Sequence, residues 1–204
     1  MPRLQAFADD CRTMCLCRRV ITVDIIFLQK KMTDKNNLQR AGVTIRKSTD
    51  ADIDVIMDIY DSARRYMRAA GNTVQWTDGY PSRGVVSKDI ASGNSYVGTD
   101  GSGEIVMVFS FILGDEPTYK RIYDGAWPDD CPYGTVHRLA STGKVGGMLR
   151  LCIDFCFTLT GRVRLDTHAD NAPMLAAVGR LGFTRCGVIY VEDGTPRIAF
   201  AKEK

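Results

Sequence analysis

Histidine is nearly absent from this chain, with only His137 and His168 among 204 residues. The seven cysteines do not make up for that scarcity as zinc ligands. Cys11, Cys15 and Cys17 lie close together but lack a second ligand pair at a regular spacing, and Cys131, Cys152, Cys156 and Cys186 are scattered. An odd count with no secretory context gives no disulfide framework, so free thiols in a reducing cytoplasm are expected. An apolar run of membrane length is also missing. Val20 to Leu28 is short and broken by Asp24, well below the ~20 residues that a span needs, and no small-residue cleavage site accompanies it. Charge of one sign is lacking too: a net charge of +3 and a pI near 8.5 give no concentrated basic face. These absences leave no metal, nucleic-acid or membrane partner expected. No internal repeat or low-complexity tract is present.

What remains is the composition of an ordinary folded domain, 45% hydrophobic and 25% charged, and long enough to bury a core without disulfides or structural metal. Residues 1–42 read as an extension outside that domain. The segment is rich in Arg and Lys but poorly periodic, and an internal Met32 is a candidate natural start that would leave residues 1–31 as an upstream addition. The domain proper is expected over residues 43–204.

Its pattern begins with a short strand, Val43 to Lys47. Ile53, Ile56, Met57, Tyr60, Ala63 and Met67 then recur at three- and four-residue spacing, which predicts a helix from Ala51 to about Ala70. Thr49 is placed to cap it, Asp52 puts negative charge in its first turn, and Gly71 supplies a stop. A weaker helix falls between Ser82 and Ala91. Ser95 to Thr99 and Glu104 to Leu113 form a hairpin, the second strand so uniformly apolar that it reads as central and covered on both faces. Periodicity stops from Gly114 to Pro132, a long loop of the kind that often carries function. Beyond it come strand Tyr133 to Ser141, helix Gly147 to Thr160, strand Val163 to His168 and helix Ala172 to Leu181, a succession that makes the two strands parallel neighbours. Thr184 to Glu192 and Thr195 to Lys202 close the chain as a hairpin around Asp193 and Gly194.

This order resembles that of the GNAT superfamily of N-acetyltransferases from Val43 onward, about four fifths of the chain. The resemblance implies an α/β (α+β) fold: a mixed central sheet of about seven strands, two parallel neighbours splayed at a cofactor cleft, and about four helices. Two segments carry the motifs. The family's turn is a Gln or Arg, two residues, Gly, one residue, then Gly or Ala. In the run His137-Arg-Leu-Ala-Ser-Thr-Gly-Lys-Val-Gly-Gly-Met-Leu149 a start at Gly143 gives Gly146 and Met148, and a start at Lys144 gives Gly147 and Leu149. Backbone amides at such a helix N-terminus suit the diphosphate of coenzyme A. The cofactor-binding residues implied are Leu139, Ala140, Ser141, Gly143, Lys144, Val145, Gly146, Gly147 and Met148, with Asn171; a plain turn between strand and helix is the alternative. In the second segment Asn171, Gly182 and Phe183 fall in the family's register, whereas Met174 and Val178 stand where Ala and Tyr are usual. Asn171 is equally a helix N-cap.

That missing tyrosine is the group thought to reprotonate the departing CoA thiolate in many members, which leaves Tyr190 or water for the task. An amine of pKa ~10 is mostly protonated at neutral pH, so a base is expected as well. His137, His168 and Asp166 are the candidates, each with an ordinary packing role as the alternative. Trp76, Tyr80, Tyr123 and Trp127, with Tyr119, Asp124, Asp129 and Asp130, fit an aromatic, acidic mouth for a cationic amine or simple loop anchors. The resemblance thus implies acetyl transfer from acetyl-CoA to a primary amine. It leaves open a catalytically weak acyl-CoA-binding module, and a homodimer.

Overall fold

The computed structural model of the chain describes residues 42–204. Apart from Gly42, the expected extension lies outside the described residues, and Cys11, Cys15, Cys17 and Met32 lie there with it. Seven strands form one sheet: β1 Thr44–Lys47, β2 Ser95–Thr99, β3 Ile105–Leu113, β4 Gly134–Ser141, β5 Arg162–Thr167, β6 Thr184–Tyr190 and β7 Pro196–Glu203. Their order across the sheet is β1-β2-β3-β4-β5-β7-β6. Every neighbouring pair is antiparallel except β4 and β5, the parallel pair expected from the sequence. Four helices pack on it: α1 Ile53–Ala69, α2 Arg83–Ala91, α3 Met148–Leu159 and α4 Ala172–Arg180. No helix among the described residues is long and apolar enough to cross a membrane.

The uniformly apolar β3 is central because both of its faces are covered. Met107, Phe109 and Phe111 join the cluster that α3 fills with Leu151, Cys152 and Cys156, while Val108 packs with Ile56, Ile59 and Tyr60 of α1. Cys152 therefore behaves as a small hydrophobe, and burial pushes its thiol pKa well up.

α1 starts two residues later than its periodicity predicts, because Asp50–Asp52 form a 3-10 turn first. Asp52 fixes that turn. Its carboxylate accepts the Thr49 backbone N–H at 2.7 Å and two hydrogen bonds from the Arg46 guanidinium at 2.7 and 2.8 Å, which tie the helix start to β1. The Arg46 guanidinium holds the Asp52 carboxyl at about 2, well below the usual carboxylate range.

Two irregularities of β4 shape everything that follows. On one side it pairs with β5 only through Gly134↔Val163, Thr135↔Arg164 and Val136↔Leu165, after which the strands part. On the other side Ser110 faces His137 and Val108 faces Ala140, so Arg138 and Leu139 together oppose one residue of β3. This is a β-bulge, with Arg138 in the left-handed region at φ +53°.

Candidate functional site

Where β4 and β5 part, a cleft of about 1560 Å³ opens. Its wall runs from the N-terminus of α3, past the end of β4 and the tips of β5 and α4, to the turn between β6 and β7.

At the α3 end the wall is mostly backbone. Gly143 at φ +76° and Gly147 at φ +78° bend the chain through conformations that glycine adopts without steric cost. The first turn of α3 points its unpaired N–H groups and the positive end of the helix dipole outward, and the helix has no side-chain cap. A Cβ built at Gly146 meets nothing within 4 Å, so the space in front of this turn is open. Leu139, Ala140, Ser141, Gly143, Val145, Gly146, Gly147, Met148 and Asn171 all line the cleft. Lys144 does not: it lies on the exposed side of the turn with its ammonium on Glu104 at 2.5 Å. The exposed cation on the wall near this turn is instead Arg150.

Asn171 caps α4, its Oδ1 accepting from the Met174 N–H at 3.2 Å. Its Nδ2 reaches across the cleft rim to Gln75 Oε1 at 3.1 Å, an oxygen that Asn72 also holds at 2.9 Å. Close by, the Thr167 hydroxyl is buried on the cleft wall with no hydrogen-bond partner among the described residues. Orphaned polar atoms of this kind are rare in folded proteins, and a polar ligand group beside it would complete it. Open glycine amides at a helix N-terminus, together with this hydroxyl, fit a phosphate- and amide-bearing ligand such as acetyl-CoA.

Beyond the bulge the chemistry changes from backbone to titratable side chains. His137 Nε2 lies 3.2 Å from Glu116 Oε2, with both side chains largely buried. The imidazole holds the Glu116 carboxyl below the usual carboxylate range. Asp166 accepts a 2.7 Å hydrogen bond from Tyr119, whose phenol pKa is driven well up by burial and by that carboxylate. The Tyr119 ring also meets the His137 ring edge-on at 6.0 Å, so the two acid-bearing pairs sit side by side. Glu116, His137 and Asp166 all line the cleft.

His168 and Tyr190 lie elsewhere. His168 turns into the β5–α4 connection, where its Nδ1 accepts the Asp170 N–H at 3.2 Å, and it is not on the cleft wall. Tyr190 is half-exposed and packs edge-on against Tyr123 at 5.2 Å, away from the cleft. Tyr123 is held there by a backbone bridge to Val188, two hydrogen bonds of 2.8 Å, and a Cβ at Gly187 would collide with the Tyr123 carbonyl.

Of the aromatic mouth, Trp76 and Tyr80 reach the cleft. Trp127 anchors the long loop instead, stacked on Tyr119 at 5.2 Å with its indole N–H on the Tyr119 carbonyl at 2.8 Å. Arg164 lies over both Trp127 and Tyr133, and Asp129 is paired with Arg162 at 2.7 Å. The Tyr80 hydroxyl accepts from Arg138 at 3.1 Å. Among the described residues no three His, Cys, Asp or Glu gather as a metal site.

Glu116, Arg138 with its partner Asp89, and the buried Arg197 are cleft residues that sequence patterns did not single out. The only signal for Glu116 was its position in a long aperiodic loop.

A sheet of this order, split between two parallel strands beside a glycine-bearing turn, defines an acetyltransferase-type fold. An acetyltransferase of the GNAT family from Streptococcus agalactiae 2603 is 31% identical, with a TM-score of 0.73 over 80% of this chain and 96% of its own. The chain belongs to the GNAT family of acetyltransferases. An acetyltransferase of the GNAT family from Listeria monocytogenes 4b F2365 shares the fold at 18% identity, with a TM-score of 0.60 over 79% of this chain and 95% of its own. No family model matches the sequence, and no curated protein matches it.

Proposed function

We propose that residues 43–204 form an N-acetyltransferase domain that moves an acetyl group from acetyl-CoA to a primary amine by direct transfer within a ternary complex. The observation that carries this reading is the parting of β4 from β5 after Val136 and Leu165, which puts the open α3 turn and the Glu116–His137 pair on one cleft.

In this reading the amides from Gly143 to Met148 receive the diphosphate of acetyl-CoA, with Arg150 adding charge from the exposed side. Acetyl-CoA supplies the activated acyl group. The edge of β4 beyond Val136 has left its ladder with β5, and the bulge has loosened it from β3, so its backbone N–H groups are donors aimed at the thioester carbonyl. His137 is the base that removes a proton from the incoming ammonium, oriented by Glu116, and Asp166 holds the ammonium beside it. The freed nitrogen lone pair bonds to the carbonyl carbon and the carbon–sulfur bond breaks; the nitrogen sheds its second proton as the amide forms and the sulfur leaves as thiolate and takes up one proton, so the one proton released overall is that held by His137. Tyr190 lies off the cleft wall, and Val178, buried in the core, has no acidic proton to give; water carries the proton to the thiolate in this scheme. The reading puts the enzyme in the cytoplasm, where acetyl-CoA is available and thiols such as the exposed Cys131 stay reduced.

Release of free thiol from acetyl-CoA over a panel of amines tests the proposal. Amine-dependent release is the expected result. Thermal stabilisation by CoA without release on any amine would favour the second reading, an acyl-CoA-binding module, for which the buried Val178 in the place of the usual tyrosine is the motivating observation.

A further inference from the structure

Arg197 is 7% exposed, yet it forms no ion pair among the described residues. It lies on β7 in the register Asp166↔Ala199, and Arg197 is two residues from Ala199, so Arg197 and Asp166 project from the same face of the sheet. Diagonal neighbours of this kind are about 7–8 Å apart. His137 shares the face too, because Val136 pairs with Leu165 and His137 with Asp166 follow them along the parallel strands. Arg197 lines the same cleft as both.

Only one corner of the guanidinium is used. Nη1 donates to Thr195 Oγ1 at 2.7 Å and to the Pro196 carbonyl at 2.9 Å, while Nε and Nη2 have no partner among the described residues. Each carboxylate around it is otherwise engaged or turned outward. Asp193 feels the Arg197 charge without pairing with it and accepts from the Thr195 N–H and hydroxyl, Asp166 accepts from Tyr119, and Glu116 holds His137. Glu192 is exposed on the β6–β7 turn. The remaining cations of the wall differ: Arg138 is neutralised by Asp89, and Lys88, Arg150 and Arg180 are exposed.

Taking a guanidinium out of water is strongly unfavourable unless a counter-charge meets it. Here the described residues supply none within ion-pair distance, and the unused fork of Nε and Nη2 has the geometry that a carboxylate satisfies with two parallel hydrogen bonds. We infer that the acceptor is an amino acid, its carboxylate on Arg197 and its ammonium directed toward Asp166 and the Glu116–His137 pair. This inference rests on the acetyltransferase reading and narrows its substrate class to amines that carry a neighbouring carboxylate. The N-terminus of a peptide, whose first carboxyl is an amide, does not meet that requirement.

Steady-state thiol release from acetyl-CoA, with free L-amino acids each paired with its α-amide, reads the inference as a ratio. The wild-type protein favours the acid over the amide by on the order of 30-fold in kcat/KM, the worth of a charge-assisted pair. In Arg197→Gln that ratio falls to near one, with the change in KM for the acid. Arg197→Lys keeps the buried charge without the fork and gives an intermediate ratio; it also serves if Arg197→Gln does not fold. A wild-type protein that acetylates amides as well as acids, or a variant that keeps the wild-type ratio, overturns the inference and leaves the acetyltransferase reading standing. If no amine releases thiol, the acetyltransferase reading fails and calorimetric binding of the same acids and amides in the presence of CoA decides about Arg197. Binding of acids alone, lost in Arg197→Gln, supports the carboxylate site; equal binding of both, or none, overturns it.

Discussion

Arg138 grips Asp89 of α2 with two hydrogen bonds of 2.9 Å, Nε to Oδ2 and Nη2 to Oδ1, from a backbone bent to φ +53°. Tyr60 of α1 holds the carbonyl of the same residue at 3.0 Å. Left-handed backbone at a non-glycine residue costs roughly 1–3 kcal/mol, so the surrounding contacts must over-determine it. Both helices that cover this face thus fasten the bulge whose amides border the cleft. Replacing Arg138 by Ala or Gly strands a largely buried Asp89 and costs about 3 kcal/mol in either case. The difference between the two variants isolates the backbone: Arg138→Gly unfolds at the higher temperature, by the equivalent of roughly 1 kcal/mol, the reverse of the order for an ordinary strand residue. Calorimetric unfolding of both variants checks this, and Ala above Gly would show that the bulge is not strained.

The Glu116–His137 pair predicts unequal losses. In the proposed mechanism His137→Ala removes the base, and kcat for acetyl transfer falls by roughly 10²–10⁴-fold. Glu116→Gln leaves the imidazole in place but takes away the carboxylate that orients it, and costs about tenfold. Steady-state kinetics at saturating acetyl-CoA measures both; equal activity of His137→Ala and wild type would assign the base elsewhere, with Asp166 the nearest candidate.

Gly146 separates cofactor binding from folding. Its Cβ position is open and its backbone is not in the left-handed region, so Gly146→Val folds with a melting temperature within a few degrees of wild type. CoA raises the melting temperature of the wild-type protein but not that of the variant, because the β-branched side chain occupies the space before the α3 turn. Gly147→Val is the poorer probe, since at φ +78° it is strained whatever the ligand does.

Acid stability reports on the start of α1. Arg46 holds the Asp52 carboxyl at about 2, below its value of about 3.8 in an unfolded chain. A depressed folded value favours the native state above the unfolded pKa, and that contribution disappears as the pH falls through the folded one. Asp52→Asn therefore destabilises the protein at neutral pH by about 1–2 kcal/mol, the exposed Arg46 limiting the effect. The gap between variant and wild type narrows from about pH 4 downward and closes only below about pH 2, read from urea unfolding across that range.

Elements with one dominant pattern were legible in the sequence. The period of Ile53 to Met67, the apolar run of β3 and the Asp193-Gly194 turn each fix a helix, a central strand and a hairpin to within a residue or two. The parallel pair followed from β4-α3-β5 connectivity. What patterns could not carry was contact between distant segments. Glu116 sits in an aperiodic loop and meets His137 only because that loop folds back over β4. Arg138 looks like an ordinary polar strand residue, since a bulge leaves no mark on the alternation of side chains. Lys144 is among the cofactor residues that the family resemblance implies, yet the turn through Gly143 carries it outward to Glu104, as an ordinary surface lysine. Tyr190 and Tyr123 follow the same logic: chemically apt residues whose strand and loop place them against each other instead.

The most direct test of acetyl transfer in this cleft follows an isotopically labelled acetyl group from acetyl-CoA into product by mass spectrometry, with free thiol measured in the same sample. The predicted result is labelled amide on the amine nitrogen, formed one-to-one with released thiol and lost in His137→Ala. Thiol released without labelled amide, or CoA bound with neither product formed, would contradict it.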